Sequence, residues 1–110
     1  MQVYDTANRL AQEIKDSEEY IQYKKRKDEI NNDPEKKNKV EEFEKLRYDV
    51  QLMEYTGQDK DEEKNKKLQE MYVTLVENKD IKEYFDLEVK FNIMIADVNK
   101  IIAEAIKDIL

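Results

Sequence analysis

From Ile81 to Ile109 apolar side chains recur at alternating steps of three and four: Ile81, Tyr84, Phe91, Ile95, Val98, Ile102, Ala105 and Ile109, with Glu88 as the polar interruption. Such a row marks one face of an α-helix. At 1.5 Å per residue the segment reaches about 45 Å, whereas a compact chain of this length would have a radius of gyration of about 13 Å. A second row, Phe85, Val89, Met94, Ile101 and Ala105, lies beside the first. A helix with two apolar rows can pack its own chain with one and a second copy with the other.

Composition points the same way. Charged residues make up 43% of the 110 residues, against roughly 25% in an average soluble domain. Val, Ile, Leu and Phe together number 27, above the level of roughly 20% that signals disorder. The chain therefore folds, as a single helical domain over residues 1–110, but with a thin core. One Gly in the whole chain argues against β-hairpins, whose tight turns need positive φ. The sequence holds no Cys and no His, which rules out disulfides, Cys- or His-ligated metals and catalysis by either side chain. No cofactor site is expected. The net charge of −7 argues against a general nucleic-acid binder. No apolar run is long enough to span a bilayer, and Met1-Gln2-Val3-Tyr4-Asp5 does not look like a signal peptide, so a cytoplasmic location is expected.

Earlier in the chain the helices are shorter. Val3, Ala7, Leu10, Ala11 and Ile14 form one face of a first helix that runs to about Lys15. Asp16-Ser17-Glu18-Glu19 reads as a new start, with Asp16 and Glu19 at capping-box spacing or Ser17 as the cap. Tyr20, Tyr23, Lys27 and Ile30 then share a face. Asp33-Pro34-Glu35 is the strongest local signal: an N-cap acceptor, a proline at the first helical position and a carboxylate at the positive end of the dipole. Val40, Phe43, Val50 and Met53 follow, and Gly57 suits a left-handed residue just past the helix end. Leu68, Met71, Tyr72, Leu75 and Val76 mark a fourth helix. The short polar link Gln58-Asp59-Lys60-Asp61 makes it an antiparallel hairpin with the third. Asp80 and Glu83 are spaced as a capping box for the last helix.

Candidate chemistry is sparse. Asp59, Asp61 and Glu63 alternate like the start of a calcium loop, but Lys64 stands where that loop needs Gly. The pairs Glu18-Glu19 and Glu41-Glu42 point about 100° apart on a helix and do not share a proton. Lys24-Lys25-Arg26-Lys27 is the one basic run; with Tyr20 and Tyr23 nearby it is a candidate RNA contact through Tyr20, Tyr23, Lys24 and Lys27. A helix spreads four consecutive residues around most of its circumference, and Asp28 and Glu29 follow directly. Asn92 and Asn99, seven apart beside the last helix's apolar seam, suit a role in fixing register. Tyr4, Tyr48, Tyr55, Tyr72 and Tyr84 suit core or interface anchors.

Several stretches resemble a known family: Val3-Tyr4-Asp5-Thr6-Ala7-Asn8, Ser17-Glu18-Glu19-Tyr20, Asp33-Pro34, Phe91-Asn92 and Asp97-Val98-Asn99-Lys100-Ile101-Ile102. They look like the YlbF/YmcA/YheA family of small bacterial proteins, the opening run most like the YheA branch. The resemblance implies an all-helical fold, homo-oligomers and a cytoplasmic, regulatory, non-enzymatic role. Better-known relatives act with partner proteins in competence, sporulation and biofilm development and are linked to the endoribonuclease RNase Y. Some relatives carry Cys associated with an iron–sulfur cluster; this chain has none, so that cofactor does not transfer.

The combined reading is an all-α chain of about five helices, with a helical hairpin, a long C-terminal helix and a coiled-coil-like homodimer. It serves as an adaptor to other cytoplasmic proteins. The residues expected at the self-association surface are Tyr84, Phe91, Ile95, Val98, Asn99, Ile102 and Ile109. The alternative is direct RNA binding by the helix around Lys24–Lys27.

Overall fold

The periodicities above resolve into helices in the computed structural model, which describes residues 1–57 and 62–110. The elements are α1 (Gln2–Asp16), α2 (Glu18–Asn31), α3 (Pro34–Thr56), α4 (Glu62–Leu75) and α5 (Lys79–Ile106), closed by a 3₁₀ turn over Lys107–Ile109. No strand occurs among the described residues. The link Gln58-Asp59-Lys60-Asp61, and with it the calcium-like alternation at Asp59 and Asp61, lies outside the described residues.

Helix boundaries follow local chemistry. Ser17 breaks α1 from α2: its hydroxyl donates to the Ile14 carbonyl at 2.6 Å and accepts from the Tyr20 amide at 3.2 Å. Ser17, rather than the Asp16–Glu19 pair, is therefore the cap. The Asp33 carboxylate accepts from the amides of Glu35 and Lys36 at 3.1 and 3.3 Å, with Pro34 opening α3. Gly57 ends α3 with φ 71°, a left-handed conformation that costs a residue with a Cβ roughly 1–2 kcal/mol. The start of α5 differs from the expected capping box. Asn78 is the cap, accepting from the amides of Asp80 and Ile81 at 3.0 and 3.2 Å. Asp80 lies inside the first turn, and its carboxylate takes the Lys36 ammonium at 2.8 Å.

The chain divides into two compact units, one made of Met1–Lys27 with Tyr84–Leu110, the other of Asp28–Glu83. The Asp28–Glu83 unit holds most of the core: Ile30, Val40, Phe43, Val50, Leu75 and Ile81 are buried. Here α3 and α4 pack as the expected antiparallel hairpin. Phe43 meets Tyr72 with ring centroids 6.0 Å apart, while Lys39 near the start of α3 shares a groove with Thr74 and Leu75 near the end of α4. Arg47 covers the outer side of Phe43, its guanidinium 5.6 Å from the ring centre. Tyr48 and Tyr55 leave this core and point into solvent.

Two substitutions check this account by chemical denaturation. Phe43→Ala removes a ring from the core and is expected to cost about 3–5 kcal/mol. Asp33→Ala removes one cap and is expected to cost about 1 kcal/mol.

Candidate functional site

The unit formed by Met1–Lys27 and Tyr84–Leu110 is built differently. Its centre is an aromatic cluster between α2 and α5. The Tyr23 ring lies 5.6 Å from Tyr84 and 5.5 Å from Phe91, and Tyr20 meets Phe91 edge-on at 6.1 Å. The Tyr23 hydroxyl also makes a long hydrogen bond, 3.4 Å, to the Glu88 carboxylate. Glu88, the polar interruption in the apolar row, thus gives a partly buried phenol its polar partner. Numbers rise along α2 as they fall along α5, so the two helices run antiparallel. Tyr84 is 1% exposed, the most deeply buried side chain described, and Phe85 is buried beside it.

Two of the expected self-association residues are thereby accounted for inside the chain. Tyr84 is fully buried and presents no surface to a second copy. Phe91 is half-buried against Tyr20 and Tyr23. Periodicity identified an apolar face correctly but could not say which helix covers it, and α2 covers this part. Ile95 and Val98 are half-buried, and Asn99, Ile102 and Ile109 are exposed.

Beyond the aromatic cluster the unit is open. Ile93, Ile101, Ile102, Ile106, Ile109 and Leu110 are all exposed, Ile101 by 71% and Ile109 by 85%. On α1, Val3 and Tyr4 are exposed, and no residue of that helix is buried. Both helices have well-separated apolar and polar faces, yet in one copy of the chain those apolar faces meet water. A groove of about 640 Å³ runs between α2 and α5, lined by Leu87, Ile93, Met94, Val98 and Ile101 and edged by Glu18, Glu19, Gln22, Lys90 and Asp97. Of these, Met94 and Ile101 belong to the second apolar row seen in the sequence. That Lys90 and Asp97 border a groove was not visible there, because a charge beside an apolar row looks like ordinary solvated surface.

The candidate RNA contacts all lie on α2. Tyr20 and Tyr23 face Phe91 and Tyr84. The Lys27 ammonium lies 5.8 Å from the Tyr23 ring centre, and Lys24 is exposed. Glu41 and Glu42 are exposed on α3, and Glu63 sits in the first turn of α4. Among the described residues no group of three or more carboxylates is placed to hold a metal ion, and no helix is long and apolar enough to cross a membrane.

Comparison with known proteins adds the family. A family model described as "Control of competence regulator ComK, YlbF/YmcA" matches residues 3–107. A protein of Halothermothrix orenii named "UPF0342 protein" is 35% identical over 93% of this chain and 86% of its own length. A UPF0342 protein of Desulfitobacterium hafniense is 34% identical over 100% of this chain and 89% of its own. Among solved structures, a "Protein of Unknown Function (DUF964) from Bacillus stearothermophilus" superposes with a TM-score of 0.84, covering 98% of this chain and 95% of that one, at 18% identity. That likeness establishes the shared all-helical fold.

The aromatic cluster predicts a graded mutational response. Tyr84→Ala empties a closed site and is expected to cost about 3–5 kcal/mol in urea unfolding. Tyr23→Phe keeps the ring and loses the long hydrogen bond to Glu88, so it is expected to cost about 1 kcal/mol, well below the Tyr84 change.

Proposed function

This chain belongs to the YlbF/YmcA family, and we propose that it works as a non-enzymatic adaptor, a homodimer that regulates other cytoplasmic proteins by contact. The observation that supports this reading is the run of uncovered isoleucines along the C-terminal half of α5, together with the uncovered face of α1. Contiguous apolar surface of this kind is uncommon on a soluble monomer and marks an interaction site. A second copy carries the same face and buries it by the same contacts, the commonest symmetry among soluble oligomers.

The family model's description, control of a competence regulator, fits a protein that acts by binding other proteins. The finer reading follows the family resemblance: a role beside competence and RNA-processing factors, with RNase Y among the machinery its relatives touch. The charged rims of the helix faces would set the choice of partner and the speed of encounter more than the affinity. The absence of His and Cys from the sequence fits a role without imidazole or thiol chemistry.

Light scattering on purified protein is expected to give twice the chain mass. Ile93→Asp combined with Ile101→Asp removes two exposed apolar side chains of α5 worth about 1.5–3 kcal/mol each on burial. The dissociation constant should then rise by at least about 100-fold. A wild-type mass equal to one chain at every concentration would overturn the proposal.

A further inference from the structure

The groove on α5 carries a charge pattern that specifies how a second copy enters it. Leu87, Met94 and Ile101 are seven residues apart and form its apolar floor. Lys90 and Asp97 alternate with them along the same side of the helix. In chain order the side reads apolar, positive, apolar, negative, apolar. Neither Lys90 nor Asp97 makes an ion pair among the described residues. Glu104, the next acidic residue along this side, is already paired with Lys107 at 3.2 Å.

The pattern is self-complementary in one orientation only. Two α5 helices running parallel in register would set Lys90 against Lys90 and Asp97 against Asp97. Running antiparallel about a two-fold axis beside Ile93 and Met94, Lys90 of each copy meets Asp97 of the other. Leu87 then meets Ile101, and Met94 meets Met94. This is the reciprocal contact that two-fold symmetry demands, residue i on j and j on i. Charges flanking an apolar seam are the usual means by which paired helices choose their orientation. The opposite edge of the groove agrees. Glu18 and Glu19 of α2 add carboxylates to Asp97, so the groove favours a visiting helix that brings a cation, as the second copy does with Lys90.

We propose that the occupant of the α2–α5 groove is α5 of a second copy, lying antiparallel, with reciprocal Lys90–Asp97 ion pairs on either side of a two-fold axis at Ile93 and Met94. This rests on the homodimer reading and adds the face, the orientation and the register to it. The floor from Leu87 to Ile101 extends about 21 Å along the helix, so the axis lies near its middle and both halves of the groove are filled alike.

The natural chain has no cysteine, so single cysteines report the geometry without background. With a short bis-maleimide, Met94→Cys is expected to cross-link to itself. Leu87→Cys and Ile101→Cys are each expected to give no cross-link alone and a strong one when co-expressed with the other. In the intact chain Lys90→Glu is expected to weaken the dimer by about fivefold or more, and Lys90→Glu with Asp97→Lys to restore it to near the starting value. Charge changes at these two surface positions leave the buried residues in place, and light scattering reads the mass in parallel. A dimer in which Leu87→Cys or Ile101→Cys cross-links to itself, or in which Met94→Cys does not, overturns the antiparallel groove pairing alone. A mass of one chain at every concentration overturns it together with the homodimer.

Discussion

A helix of 28 residues such as α5 carries more apolar surface than one neighbouring helix can cover. In this chain α2 covers part of it, through Tyr20 and Tyr23 against Tyr84 and Phe91. Past that cluster the apolar face continues without a cover, and α1 shows the same imbalance on a smaller scale. The Asp28–Glu83 unit has no such surplus at its centre: Val40, Phe43, Val50 and Leu75 close on one another within a helical hairpin. The chain thus combines a closed core in one unit with a second unit whose apolar helix faces are uncovered in a single copy. Regulation by contact is a natural use of that arrangement.

The sequence showed the fold well because local signals and long-range pattern agreed. Asp33-Pro34, Gly57 and the three-four spacing of α5 each act through neighbouring residues, and each is realised as read. The start of α5 was less legible. Asp80 and Glu83 have capping-box spacing, but Asn78 lies closer to the orphan amides, and Asp80 finds Lys36 across 44 residues. That partner is set by tertiary packing and has no local signature. The same limit applied to the apolar row. Tyr84 and Ile102 stand at equivalent positions on it, yet one is buried and the other is 51% exposed. Spacing reports a face, while its cover depends on which helix lies alongside.

Several polar groups in this chain serve the helices directly. Ser17, Asp33 and Asn78 satisfy amides at helix starts. Glu88 answers the Tyr23 hydroxyl, and Lys36 and Asp80 link the starts of α3 and α5. Among the described residues no polar or charged residue is buried, and no buried side-chain polar atom lacks a partner. The chemistry left over lies at the surface, as charges bordering apolar helix faces. Such borders select partners and orientations, which is the work expected of an adaptor.

The central claim is that the apolar faces of α1 and the C-terminal half of α5 are covered by a second chain. Amide hydrogen exchange followed across a dilution series tests it most directly, because it reads each helix separately. The account predicts that amides of α1 and of residues 93–106 lose protection as the protein is diluted below its dissociation constant, while the α3–α4 hairpin keeps its own. Strong protection of residues 93–106 in a particle with the mass of one chain, unchanged by dilution, would contradict it.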